Sequence, residues 1–177
     1  DLSVEEIGRR INEELVATWG NLVNRVLSMV HRTCDGAVPT ADGRTVDDLA
    51  LLEAVDEALA TVTTQIQRVE LRAALRTGMG AAAAVNAYLN AMEPWKLAKA
   101  DTDRARVVLG TALAAVSGVR VALAPYLPFS TVALDDVLGP VEGWERREPQ
   151  PGSPVGKPTP LFAKVDLDML LSDRDDG

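Results

Sequence analysis

Residues 71–89 read LRAALRTGMGAAAAVNAYL, and this stretch decides the fold. Leu71, Leu75, Gly78, Ala82, Val85 and Leu89 recur at steps of four and three, which places them on one stripe of an α-helix. The glycines and alanines in that stripe, Gly78 to Ala84, remove side-chain bulk, so a neighbouring helix can approach closely. Pro94 forbids continuation, because proline lacks a backbone N–H and its ring collides with the preceding turn.

The same periodicity extends in both directions. Upstream, Thr45 with Asp48 forms a capping signature and opens a helix with Val46, Leu49, Leu52, Val55, Leu59, Val62 and Ile66 as apolar positions, ending near Gln67. Before it, Ser3 with Glu6 makes a capping box. Val4, Ile7, Ile11, Leu15, Trp19, Leu22, Val26 and Val30 then predict a long helix to His31 or Arg32, with Trp19 in the core. Gly36 and Pro39 are its stop signal. Downstream, Asp101 or Thr102 caps a fourth long helix through Val108, Leu109, Ala112, Leu113, Val116, Val119 and Leu123, which ends before Pro125 and Pro128. A short helix spans about 130–138 and stops at Gly139. Long helices with short joints make antiparallel neighbours, so residues 1–139 predict an all-α, up-down helix bundle. Six prolines between Pro140 and Pro160 exclude a regular helix there. Residues 140–177 read as a proline-rich strap whose segment 161–165 docks back on the body, followed by a frayed end from Asp173 to Gly177.

Composition agrees with one folded domain: 177 residues, 47% hydrophobic, 25% charged and only 4% aromatic, a balance that favours packed helices over aromatic-rich strands. The net charge of −8 argues against a chain that coats nucleic acid non-specifically, though a localised contact stays open. Acids dominate residues 35–64 and bases dominate 65–134. The single cysteine, Cys34, cannot form an internal disulfide, and with one histidine there is no usual zinc pattern. His31 and Cys34 are therefore read as helix-end residues. The first twenty residues carry several acids and no apolar core of a signal peptide, and Arg120 interrupts the longest apolar stretch. These features predict a cytoplasmic chain with no membrane partner.

No nucleophile and base pair, glycine-rich phosphate loop or Glu-x-x-His pair is present, so no catalytic, cofactor-binding or metal residue is assigned. Two arrangements point to binding instead. Asn21, Arg25, Ser28 and Arg32 form a polar edge beside the apolar stripe of the first helix; asparagine can donate and accept at a base edge, and the arginine fork can pair bidentately or stack. A solvated helix edge has the same spacing. In Glu93-Pro94-Trp95-Lys96-Leu97-Ala98-Lys99, a tryptophan follows a helix break and is flanked by lysines. Such a ring can stack on an unpaired base, or plug a helix junction. Arg68, Arg72 and Arg76 stand one turn apart and make a basic ridge, for which a solvated face is the plainer reading.

Assembled, these segments resemble the α-helical anticodon-binding domain of methionyl-tRNA synthetase, a class I aminoacyl-tRNA synthetase, over about Ser3 to Gly139. The resemblance is carried by Gly20-Asn21-Leu22-Val23-Asn24-Arg25, by Asn86-Ala87-Tyr88-Leu89 leading into the Glu-Pro-Trp block, and by Leu123-Ala124-Pro125-Tyr126-Leu127-Pro128-Phe129-Ser130. It implies recognition of the CAU anticodon of tRNA-Met in translation. Asn21 and Arg25 would read the first anticodon base, Trp95 would stack on it, and Pro94 would hold the tryptophan's loop. Arg32, Lys96, Lys99, Arg72 and Arg76 are candidate RNA-backbone contacts. The resemblance also implies a catalytic domain N-terminal to the bundle, with ATP and Mg as that half's cofactors and none in this segment, and a monomer. That half's His-x-Gly-His and Lys-Met-Ser-Lys-Ser motifs are absent here, so this segment by itself is not expected to activate methionine. The alternative is a free-standing helical adaptor or synthetase paralogue that binds tRNA or protein without aminoacylation.

Overall fold

The computed structural model describes residues 11–162. A π-helical stretch, Ile11–Gly20, leads directly into α1 (Asn21–Thr33); α2 (Val46–Gln67), α3 (Leu71–Met92), α4 (Pro94–Ala100) and α5 (Thr102–Leu123) follow, then the short α6 (Pro128–Val132) and α7 (Asp135–Leu138). The Ser3 and Glu6 capping box, residues 163–165 and the segment Asp173 to Gly177 lie outside the described residues.

Side-chain contacts at the helix ends fix the directions. Tyr88, late in α3, donates to Asp48 at the start of α2, while Thr77, earlier in α3, donates to Gln65 at the end of α2. The two helices are therefore antiparallel. Asp48 also receives Arg104 from the first turn of α5, so α5 starts beside the start of α2 and runs with it. This is the predicted up-down bundle.

α5 is its axis, buried without interruption from Val108 to Leu123. By length and apolarity it could cross a membrane, Arg120 notwithstanding, so that residue does not break the stretch as expected; 89% of the apolar window is buried inside the bundle. Arg120 is itself buried and donates to the Gly139 carbonyl at 2.8 Å and to Asp135 at 3.3 Å. Burial pushes its pKa down, and the Asp135 charge opposes that shift.

Small residues let the helices close in. A Cβ placed on Gly78 would lie 2.8 Å from Leu123 Cδ2, and one on Gly118 would lie 2.4 Å from Val55 Cγ1. The close approach expected for the stripe 78–84 thus holds at Gly78, Ala81 and Ala82, which are buried; Gly80 and Ala83 face outward. Trp19 is fully buried, as expected, with its indole N–H toward Ser130 Oγ at 3.4 Å.

Four local expectations are corrected. The first helix is not α-helical throughout: Asn86 Nδ2 takes the Thr18 carbonyl at 3.1 Å, and the Thr18 hydroxyl turns to the Glu13 carbonyl five residues back. Both contacts draw on the ladder that an α-helix would use. The segment after Pro94 is a helix rather than a loop. Glu93 adopts a left-handed conformation (φ 46°) that ends α3, and Pro94 at the first helical position starts α4, where a missing N–H costs nothing. The single short helix over 130–138 divides in two, starting at Pro128 and breaking where Leu134 turns into the core. Arg68 caps α2, and Val69 (φ 61°) breaks the helical phase, so only Arg72 and Arg76 share a helix.

The strap lies along the bundle. Val38 N–H donates to the Ser153 carbonyl, Gly152 N–H to the Val38 carbonyl and Val155 N–H to the Gly36 carbonyl, at 2.7–2.9 Å. A His31 ring nitrogen lies 2.9 Å from the Gly156 carbonyl oxygen. Glu148 receives both Arg44 and Arg146, and Arg146 also grips Asp56 on α2. Burial raises the Glu148 pKa, but these arginines outweigh it and the net shift is downward. Leu161 and Phe162 pack on the core.

Gly118→Ala should cost about 1 to 3 kcal/mol through overpacking against Val55. Chemical denaturation measures it, and Gly118→Ala combined with Val55→Ala should recover part of the loss.

Candidate functional site

Asp48 is fully buried in the first turn of α2. Its carboxylate accepts the Thr45 backbone N–H at 2.7 Å, the Tyr88 hydroxyl at 2.5 Å and Arg104 Nη2 at 2.8 Å. Burial alone raises its pKa, but the hydrogen bonds from Arg104, Tyr88 and Thr45 outweigh that and hold it at about 2. The same burial and the same carboxylate push the Tyr88 hydroxyl pKa up. Tyr88 lies one turn before the end of α3, and Arg104 in the first turn of α5. Asp48 thereby fixes both helices between which the seven-residue α4 is strung.

α4 carries Trp95. Pro94 is buried, whereas the Trp95 ring is 38% exposed. The Arg25 guanidinium lies over that ring, 4.8 Å from its centroid, and donates through Nη2 to Asn90 Oδ1 at 3.0 Å. Three elements therefore meet: α1 supplies a cation, α4 an aromatic face, and the last turn of α3 an amide. The cation–π contact adds to the hydrogen bond in setting the guanidinium's plane. Gly20 starts α1 with no side chain, and the Phe162 ring of the strap occupies the space, 3.1 Å from where a Cβ would stand.

The other expected residues are distributed around this cluster. Asn21 is exposed one turn before Arg25 on α1, and Arg32 is exposed two turns beyond, its Nε on the Ser28 carbonyl. Lys96 is paired with Glu93 at 2.7 Å, and Lys99 is exposed on the last turn of α4. Arg72 and Arg76 are not at this site; they stand at the opposite end of α3. Asn90 and the Asp48 network were missed by the sequence reading. A polar residue on an alanine-rich helix, five positions before the tryptophan, was the available signal for Asn90. For Asp48 the capping pattern gave the helix start without its burial. Among the described residues, no cluster of three or more His, Cys, Asp or Glu could hold a metal ion.

A half-exposed indole capped by an arginine stands at one end of the helix bundle, and the fold is one found in aminoacyl-tRNA synthetases. It is similar to solved methionyl-tRNA synthetases of Mycobacterium tuberculosis. The apo form superposes with a TM-score of 0.85 at 29% identity, covering 93% of this chain and 35% of that one. The form in complex with methionyl-adenylate gives 0.83 at 30% identity, covering 90% and 33%. Among curated proteins, methionine–tRNA ligase of Roseiflexus sp. (strain RS-1) is 38% identical over 93% of this chain, and that of Corynebacterium jeikeium is 36% identical over 96%. The chain spans about a third of the length of these relatives (33% and 35%). The family described as the anticodon binding domain of methionyl tRNA ligase matches residues 38–170, and the chain belongs to it. The matched range includes Pro94 and Trp95 and begins after Asn21 and Arg25.

Because the Asp48 carboxyl is held below its ordinary value, its contribution to stability is complete above about pH 4 and is lost as pH falls toward 2, on the order of 2 to 3 kcal/mol. Asp48→Asn should remove that part of the acid dependence and lower stability at neutral pH by about 3 kcal/mol, since it leaves Arg104 without its charge partner. Urea unfolding followed across pH 2 to 7 tests both statements.

Proposed function

We propose that this chain reads the CAU anticodon of tRNA-Met as the C-terminal part of a methionine–tRNA ligase acting in translation. The observation that supports it best is the Arg25 guanidinium over the half-exposed Trp95 ring, held by Asn90. A base flipped out of an anticodon loop needs a flat apolar surface for its π face and directed donors for its edge. Trp95 supplies the surface. Asn21 and Arg25, one turn apart on α1, supply donors and an acceptor to the first anticodon base. Pro94, buried at the start of α4, holds the ring's helix in place. Arg32, Lys96 and Lys99 flank the cluster as contacts to the RNA backbone, Lys96 exchanging its Glu93 partner for a phosphate.

In this reading the domain of residues 1–139 does the recognising, and the strap braces it through residues 146–162. Methionine activation belongs to a catalytic domain N-terminal to the bundle. ATP and Mg would serve that domain. The assembled enzyme would be a cytoplasmic monomer.

A fixed-salt titration with a CAU stem-loop, and with one differing only in the first anticodon base, tests the reading through the Trp95 indole NMR signal. A shift that saturates for CAU and is weaker for the variant is expected. Trp95→Ala should cost about 1 to 3 kcal/mol of binding, and Arg25→Ala should lose chiefly the preference between the two RNAs. A Trp95 signal that neither RNA moves at millimolar concentration overturns the proposal.

A further inference from the structure

α3 contains Arg72 and Arg76 and not one Asp or Glu from Leu71 to Met92, in a chain whose net charge is −8. Both arginines are exposed, and neither is engaged in an ion pair among the described residues. The acids nearest in sequence bracket the helix: Glu70 precedes it, and Glu93, which follows, is neutralised by Lys96.

Helical geometry relates this pair to the Trp95 cluster. Eighteen residues are five turns at about 3.6 residues each, so Arg72 and Asn90 lie on one line along α3, about 27 Å apart at ~1.5 Å per residue. Arg76 stands one turn nearer, about 21 Å from Asn90. Close to that line between them, Ala83 is exposed and short, and Met79 is half-buried with its side chain packed against the core. One face of one rigid helix thus joins the amide that holds Arg25 to a pair of unneutralised guanidinium groups.

We propose that this face is a second RNA contact, in which Arg72 and Arg76 bind backbone phosphates of the double-helical stem that carries the loop. The proposal rests on the reading that the Trp95 end takes the loop. At the ~3.4 Å rise of a DNA strand, 21–27 Å is about six to eight nucleotide steps, and the shorter rise of an A-form RNA helix makes it more, beyond an unpaired loop tip and into the duplex. The guanidinium fork matches phosphate geometry. Contacts of this kind position the RNA without reading its sequence. A net-acidic chain meets a polyanion best through a face that lacks carboxylates, and α3 provides one.

The test uses two fluorescently labelled hairpins with the same CAU loop, one closed by a minimal stem and one on a stem a full helical turn long. Affinities are measured against salt concentration for the chain and for Arg72→Gln/Arg76→Gln, with circular dichroism confirming an unchanged helix content. The charge removal should weaken the long-stem hairpin about tenfold at low salt and flatten its log affinity against log salt by about 1 to 2. Scrambling the paired stem sequence should leave that loss unchanged, and the minimal hairpin should bind both proteins alike. Equal affinities for the long hairpin, or equal losses on both hairpins, overturn the stem contact while leaving loop reading intact. If the unmodified chain binds neither hairpin, loop reading fails and the stem contact fails with it.

Discussion

The buried Asp48 carboxylate is the constraint on which the rest of the Trp95 end of the bundle depends. Taking a charged group fully out of water is costly unless every lone pair it presents is met by a donor. Here the backbone N–H of Thr45, the residue that caps α2, a hydroxyl of α3 and a guanidinium of α5 meet it together. No two of these helices can slide without uncovering the charge. Apolar packing tolerates small shifts because it is non-directional; this carboxylate does not, so it defines the register in which α3 ends and α5 begins.

That register passes directly to the Trp95 cluster. α4 is too short to be stable alone, since isolated helices of its length are marginal in water. It exists because Pro94 pre-sets its first turn and because its two flanking helices are already fixed. Trp95 therefore presents its ring from a defined position. Arg25 arrives from α1 with its own plane set by Asn90. Such preorganisation reduces the ordering cost of binding, which is where a small aromatic and cationic cluster can gain affinity.

The strap is held to the bundle by a different means. Its backbone hydrogen bonds to the turn after α1, and its arginines and glutamate alternate with those of the bundle around Glu148. Pairs of this exposure contribute little individually. Their effect comes from joining the strap to α2 through Arg146 and to the preceding loop through Arg44, while Phe162 covers Gly20 at the start of α1.

Much of this was legible in the sequence. The three- and four-residue periodicity of the long helices, the Thr45 and Asp48 cap, Pro94 as a terminator and Trp19 as core all follow from local stereochemistry and from which side chains leave water, properties a linear chain carries. The spacing of Asn21 and Arg25 and the Glu-Pro-Trp block named most of the candidate cluster. What the linear chain could not carry was the meeting of residues distant in sequence. Asn90 became part of the cluster only because α3 crosses α1 at Arg25, and Asp48 became a buried charge only because Tyr88 and Arg104 were delivered to it. The meeting of Asn86 with the Thr18 carbonyl in the π-helical stretch before α1 is likewise a contact between distant residues. Local periodicity determines which face of a helix is apolar; only tertiary packing decides which polar groups that face brings together, because desolvation and hydrogen-bond satisfaction are properties of the assembled interior.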